Sequence, residues 1–447
     1  MSRPDLGVGV IATTGLDLVW SEVADLVDVV EVEPQTMWTP RHGPDDETGW
    51  EINEPAFHWV ESRDRPTLVH GVGFPVGGCT TPDPAGVALT ARCAARLGAT
   101  HWSEHLSFNQ VRHAGHDLDA GFLLPPAQTS AGVDAAVEHI VSYQTCSERP
   151  FLIETGVNYL RPRPGELADG NFIAEIARRA DCGILLDLHN LLANERNGRQ
   201  PVEDVLDALP LDRVLEIHVA GGFELDGYYL DAHIGGPDLE LLSLLASTIP
   251  RLPQLRAVVF EAVPTSMVSL GAAGLRAILQ ALHRICDGAP VERPFRPGSA
   301  APRAPIGARA HHDLTGTREW ERQLAAYTAR ASAEPPSDDP ALQLLRGLAD
   351  RARLGQLTLA RPDLLRSLIA TRGPDQTERI LESYLDATPP SRWAADEGRQ
   401  FADWLGLDHL VMPITPPPPT MPVGWGSAVR GRQWRQPSTS ATSVGSR

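Results

Sequence analysis

Up to about residue 290 the chain alternates between two hydrophobic rhythms. Short, nearly unbroken apolar runs recur at LGVGVIA (6–12), VDVVEVE (27–33), PTLVHGV (66–72) and ATHWSEH (99–105). They continue at PFLIET (150–155), CGILLDLH (182–189), RVLEIHVA (213–220) and AVVFEAV (257–263). Runs of this length without polar alternation are strands buried on both faces. Between most of them lie stretches with helical spacing: 83–98, 132–146, 171–181, 238–249 and 266–285. Strand–helix alternation predicts a parallel sheet covered by helices. Eight such units in about 290 residues predict an α/β (β/α)8 TIM-type barrel rather than an open doubly wound sheet. The stretch 34–53 reads as a long loop.

The pattern then changes. Residues 291–310 are rich in Pro, Arg, Gly and Ala and read as a linker. Residues 311–410 show helical spacing and no strand signal, which predicts a mainly helical domain behind the barrel of residues 1–290. Residues 411–447 hold a Pro run, several Arg and much Ser, as a disordered tail does.

The 447 residues carry a formal charge of −18. So acidic a chain lacks the dense cationic surface that holds a nucleic-acid backbone. The N-terminus has no basic segment followed by an apolar one, so no signal peptide is expected. No apolar run approaches the roughly 18 residues of a membrane span. Together these predict a cytoplasmic protein that binds neither nucleic acid nor membrane. The five cysteines are scattered, with no CxxC pair, which argues against a disulfide framework and a thiolate zinc site. HGVGFPVGG (70–78) has neither the Lys-Ser/Thr of a phosphate loop nor dinucleotide-fingerprint spacing.

In a barrel of this type the active site lies at the C-terminal ends of the strands. Those ends carry Glu31 and Glu33, His70, Glu104 and His105, Glu154, then Asp187 with His189 and Asn190, His218, and Glu261. Asp231 and His233 follow the seventh strand as D-x-H. A lone histidine at a strand end is ordinarily a hydrogen-bonded structural residue. A ring of imidazoles and carboxylates needs compensation, because unpaired buried charge is costly. A metal supplies it, and a donor set without thiolate suits iron, manganese, zinc or cobalt. The donors outnumber what one ion needs, so two or more ions are expected. His42, His58, His101, His113, His116 and His139 fall in loops or helices and read as surface or structural residues, and His311–His312 as a surface pair.

The series HGVG, SEHLSF, LLPP, LIETGVNYL, LLDLHNLLAN, EIHVAGG, DAH and FEAVP resembles, in order and spacing, the DUF692 family of multinuclear non-heme iron oxidative enzymes. The resemblance covers about residues 5–290. It implies a TIM-type barrel holding two or three irons in mixed Fe(II)/Fe(III) states, with dioxygen as co-substrate. The substrate it implies is a ribosomally made precursor peptide, modified at Cys or at Asp/Asn. It places iron ligands at His70, His105, Glu154, Asp187, His218, Asp231, His233 and Glu261, with Asn190 as a further donor and Glu33 near the site; His189, from the same strand end as Asp187, joins the candidate metal donors as an extra imidazole. It also implies a small partner protein that delivers the peptide, a role the helical domain could replace.

The chain departs from the family pattern at three places. Thr155 stands where Asn is usual after the glutamate, His189 where Asn is frequent, and Ala262-Val263 where Trp-Asp follows the last glutamate. Two other function classes fit the same barrel. One is a divalent-metal sugar isomerase or an endonuclease-IV-like hydrolase. The other is a non-catalytic metal-binding protein. Lysine is absent from the sequence, which weakens the isomerase reading, since that chemistry wants a lysine to polarise its substrate.

Overall fold

The computed structural model describes residues 4–13, 15–40, 49–288 and 314–406. Eight parallel strands close into a barrel: β1 (Gly7–Ile11), β2 (Val29–Val32), β3 (Thr67–Gly71), β4 (Trp102–His105), β5 (Phe151–Glu154), β6 (Gly183–Asp187), β7 (Val214–Val219) and β8 (Ala257–Phe260). Each strand pairs with its neighbours in sequence, and β8 closes on β1 through Gly7–Ala257 to Val10–Phe260. All eight expected strands are present, and the barrel is the architecture the periodicity predicts. Their Val, Ile and Leu side chains are buried from both sides, which is why the runs lack polar alternation.

Among the described residues nine helices surround the barrel: α1 (Leu16–Val23), α2 (Glu54–Glu61), α3 (Pro84–Arg96), α4 (Ser130–Thr145), α5 (Asp169–Ala180), α6 (Leu188–Arg196), α7 (Val202–Ala208), α8 (Leu239–Thr248) and α9 (Pro264–Asp287). Side chains of Asn53, Asp83, Thr129, Asp187 and Asp238 accept backbone N–H groups at the starts of α2, α3, α4, α6 and α8. These caps satisfy donors that the first helical turn leaves free. By length and composition α9 would pass as a membrane span. Here it is the barrel's last helix, with Leu275, Leu279 and Leu282 buried in the main core and a break at Gly271.

Among the described residues the loops above the barrel hold three antiparallel pairs. Trp38–Pro40 pairs with Trp50–Ile52, so the expected loop 34–53 contains strand structure, together with a 3-10 turn at Pro34–Thr36. Phe108–His113 pairs with His116–Leu124, and Gly222–Leu225 with Tyr228–Asp231. The last turns at Asp226-Gly227, both with positive φ, which is the conformation a two-residue hairpin turn requires.

Among the described residues five further helices follow: α10 (Thr315–Thr328), α11 (Ala341–Ala360), α12 (Pro362–Arg372), α13 (Pro374–Ala387) and α14 (Ala394–Trp404). The region is helical as expected, with α12 added. The expected linker 291–310, the tail 411–447 and His311–His312 lie outside the described residues. The helices sit directly on the end of the barrel where its strands finish. Leu324, Ala325, Leu342 and Leu345 share an apolar cluster with Phe108, Val111, Leu118 and Leu124 of the central hairpin. Arg392 reaches Asp119 on that hairpin at 3.0 Å. Trp393 packs on Trp50 and Phe74, with ring centroids 5.4 and 6.0 Å apart.

Candidate metal centre

Strand pleating aims alternate residues into the barrel. Glu31 on β2, His70 on β3, Glu154 on β5, Asp187 on β6, and Glu216 and His218 on β7 are all buried. Glu261 follows β8, and Asp231 and His233 leave the hairpin after β7.

Glu154 sits at the centre. Its Oε2 lies 3.3 Å from His70 Nε2 and 2.8 Å from His105 Nε2, and its Oε1 lies 3.6 Å from His218 Nδ1. His105 Nδ1 is 2.9 Å from the Gly71 carbonyl, which can only accept, so Nδ1 carries the ring proton. That leaves Nε2 bare, facing a carboxylate oxygen. Two acceptors at that distance need a proton or a cation between them. His70 Nδ1 meets Ser103 Oγ at 2.8 Å, which likewise turns Nε2 inward.

Glu154, Asp187, His218 and Glu261 form a second group whose donor atoms all lie within 4.8 Å of one another. His218 Nδ1 is 3.2 Å from Glu261 Oε2. Asp187 Oδ1 accepts the Asn190 N–H at 2.8 Å, and Thr155 Oγ1 accepts the Asp187 N–H at 2.9 Å. The unusual Thr155 thus helps to fix Asp187. Further out, His233 Nε2 is 2.9 Å from Asp231 Oδ1 and 3.5 Å from Glu261 Oε2, and His189 Nε2 is 3.7 Å from Asp231 Oδ1.

These atoms fit a metal by what they lack. Glu154 Oε2, His218 Nδ1, Glu261 Oε2, Asp231 Oδ1, His233 Nε2, His189 Nε2 and Asn190 Oδ1 are buried without a hydrogen-bond partner among the described residues. A native core holds few such atoms, and here they converge on one spot. The electrostatics agree. Burial opposes a charged His218, yet Glu261 and Glu31 override it and hold the imidazole well above its ordinary range. Burial likewise opposes a charged Glu261, but His218 and His233 bring it down to about 2. Burial, then Asp231 and Glu154, raise Asp187 well above the carboxylate range. So many crowded acids and imidazoles are what a cation would relieve.

Beneath this layer lies a feature that the strand ends did not reveal. His218 Nε2 is 2.9 Å from Glu31 Oε2 and 3.7 Å from Glu216 Oε1, and Glu216 Oε2 is 2.8 Å from His101 Nε2. Glu31, Glu216 and His218 also converge within ligand range. An imidazole serving cations through both nitrogens would have to lose its last proton. His218 Nε2, both Glu31 oxygens and Glu216 Oε1 also lack a hydrogen-bond partner among the described residues, so it is the charge of Glu31 at 2.9 Å, rather than a hydrogen bond, that orients His218 toward the first layer. Glu216 precedes His218 by two residues, so strand alternation was the available signal. His101 carried none.

Other candidates have different duties. Glu104 spends its oxygens on the backbone N–H groups of Phe74, at 3.2 Å, and His105, at 3.0 Å. A side chain on Gly71 would strike Glu104 Oε2, which explains the glycine after His70. Glu33 lines the pocket above the donors, and burial followed by Glu261 raises its pKa. That pocket measures about 120 Å³. Its polar floor lies under an apolar collar of Ile11, Val72, Phe122, Leu123, Val157 and Val263.

Set against known proteins, residues 21–263 match the family described as RiPP precursor modification enzyme MbnB/TglH/ChrH. A UPF0276 protein of Chromobacterium violaceum is 33% identical over 217 residues, which span 48% of this chain and 77% of that protein. A UPF0276 protein of Streptomyces avermitilis is 30% identical over 254 residues, spanning 53% of this chain and 49% of that protein. Among solved structures, a xylose isomerase domain protein from Planctomyces limnophilus aligns with a TM-score of 0.43 and 16% identity, covering 64% of this chain and 99% of that one.

Proposed function

This chain belongs to the MbnB/TglH/ChrH family of RiPP precursor modification enzymes, and from that membership we propose that it is an iron- and dioxygen-dependent oxidase of a ribosomally made precursor peptide. The observation that carries this reading is the convergence of unpartnered buried imidazole and carboxylate atoms around Glu154. Two or three irons would be held by His70, His105 and Glu154, by Glu154, Asp187, His218 and Glu261, and by Asn190, Asp231 and His233, with His189 beside the last group. Iron so held supplies Lewis acidity and one-electron chemistry with dioxygen.

The chain's own residues do the rest. Ser103 and the Gly71 carbonyl keep Nε2 of His70 and His105 turned inward. Glu31 holds His218 from behind. The collar keeps bulk water off the polar floor. A space of about 120 Å³ admits one small side chain, as Cys, Asp or Asn requires. Glu33, raised by burial, keeps its carboxyl proton to higher pH than a free glutamate and faces that space.

The test is a mass measurement. Protein reconstituted anaerobically with iron is given short candidate precursor peptides bearing Cys, Asp or Asn, and then oxygen. A peptide mass change that needs both iron and oxygen, and that disappears in Glu154→Ala, is expected. An unchanged peptide mass with metal demonstrably bound contradicts the proposal.

A further inference from the structure

Two cavities share one lining residue. The catalytic pocket reaches Thr13, just past β1. A larger cavity of about 430 Å³ also begins at Thr13 and runs between α1 and α2, lined by Asp17, Asn53, Pro55, His58, Trp59 and Arg63. The catalytic pocket holds one side chain, so the peptide residues on either side of it need a seat outside.

The C-terminal helices already occupy much of the rim. Glu321 accepts the Cys79 N–H at 2.8 Å in the loop after β3. Thr317 Oγ1 meets Thr129 Oγ1 at 2.9 Å before α4. Asp339 accepts the Arg161 N–H at 2.7 Å after β5, and Arg163 lies 3.7 Å over the Trp320 ring. Phe223, Tyr228 and Ile234, after β7, pack on the apolar cluster that these helices share with the central hairpin. The pocket is also lined by Thr13, Glu33, Ala262 and Val263, and Thr13 is the lining residue it shares with the larger cavity.

We propose that the cavity between α1 and α2 seats the extended segment of precursor peptide flanking the modified residue. This rests on the peptide-oxidase reading above. The cavity has the size of a ligand site rather than of a packing defect. The half-buried Trp59 offers a ring to an apolar side chain. The Arg63 guanidinium lies 4.6 Å from the Trp59 ring centroid and 5.4 Å from that of Trp20. Its Nε donates to the Trp59 carbonyl at 3.0 Å, and its terminal nitrogens have no ion-pair partner among the described residues, so they suit an acidic group on the peptide. Asn53 Oδ1 is used as the α2 cap, accepting the Ala56 N–H at 3.2 Å. Its amide NH2 is left to donate to a peptide carbonyl. The helical region is then a wall that directs the peptide, and the docking surface belongs to the barrel.

The test uses the iron-loaded full chain. The probe is a displayed library of random peptides with one fixed central cysteine, and an enriched sequence is remade with a fluorophore. Ser62→Trp fills the cavity from the exposed C-cap position just after α2, and Arg63→Glu reverses its charge. Both variants are expected to weaken binding by about tenfold or more, as loss of a central anchor does, with metal content unchanged. Bound peptide is expected to slow hydrogen exchange in residues 15–20 and 53–63. Wild-type affinity in both variants, protection confined to residues 314–406, or a library that enriches no binder overturns the proposal. A mass readout separates the two claims. A peptide that binds in the cavity but is never altered sinks the oxidase reading and leaves the docking site. A peptide bound and altered equally by wild type and both variants sinks the docking site and leaves the oxidase reading.

Discussion

Glu154 faces three imidazoles with one carboxylate, so its removal should cost more than one ligand. Glu154→Ala is expected to lower bound iron by more than one equivalent per chain, and His105→Ala by about one equivalent. Elemental analysis after anaerobic reconstitution checks this, and equal losses would contradict the view that Glu154 would serve both donor groups. Gly222 is the second decisive residue. A Cβ there would stand 2.3 Å from the Leu230 carbonyl oxygen and 2.9 Å from His189 Nε2. Gly222→Ala should therefore destabilise the fold by about 1–3 kcal/mol, as overpacking does, visible as a lowered Tm. At this scale the sequence was most informative where a polar residue interrupts an apolar run at its end. His70, His105, Glu154, Asp187, His218 and Glu261 were all visible that way, and the structure brings them together. Glu216 and His101 were not, because one lies within a strand and the other before one, and their pairing crosses the barrel.

Among the elements, α10 is held by a buried carboxylate. Burial pushes Glu321 up to about 7, against an ordinary value near 4.5, although the Cys79 N–H it accepts pulls the other way. A carboxyl with a raised folded-state pKa binds its proton more tightly when folded. Stability should then fall as pH rises from 4.5 to about 7, with a slope of at most about 1.4 kcal/mol per unit. Glu321→Gln should flatten that slope in thermal unfolding across the window. An unchanged slope would mean that another group titrates. The central hairpin is pinned by Asp119–Arg392, where burial raises the carboxyl and Arg392 opposes it. Arg392→Asp or Asp119→Arg alone should cost about 1–3 kcal/mol by leaving a charge unpaired. The double exchange should recover part of that loss. The short strands of 34–53 were unreadable because three residues are too few to show alternation. The turn at Asp226-Gly227 was readable in principle, since Asp-Gly between apolar flanks is a hairpin signal.

Over the whole molecule, the barrel was legible because eight buried strands repeat one pattern. The seating of the helical region was not, because it depends on contacts between residues more than a hundred positions apart, such as Asp119 with Arg392 and Thr129 with Thr317. That seating changes what truncation means. Removing residues 314–406 would strip half of an apolar cluster from the central hairpin. The truncated chain should aggregate or expose apolar surface, seen as dye binding, and should not leave an intact barrel that has merely lost a recruiting module. The central claim is that the ring around Glu154 is a multinuclear iron centre. Iron content per chain, measured together with Mössbauer spectroscopy on protein purified without added metal, tests it most directly. Two or more irons with an antiferromagnetically coupled signal are predicted. Zinc or manganese in their place, with iron failing to bind on anaerobic reconstitution, would contradict it.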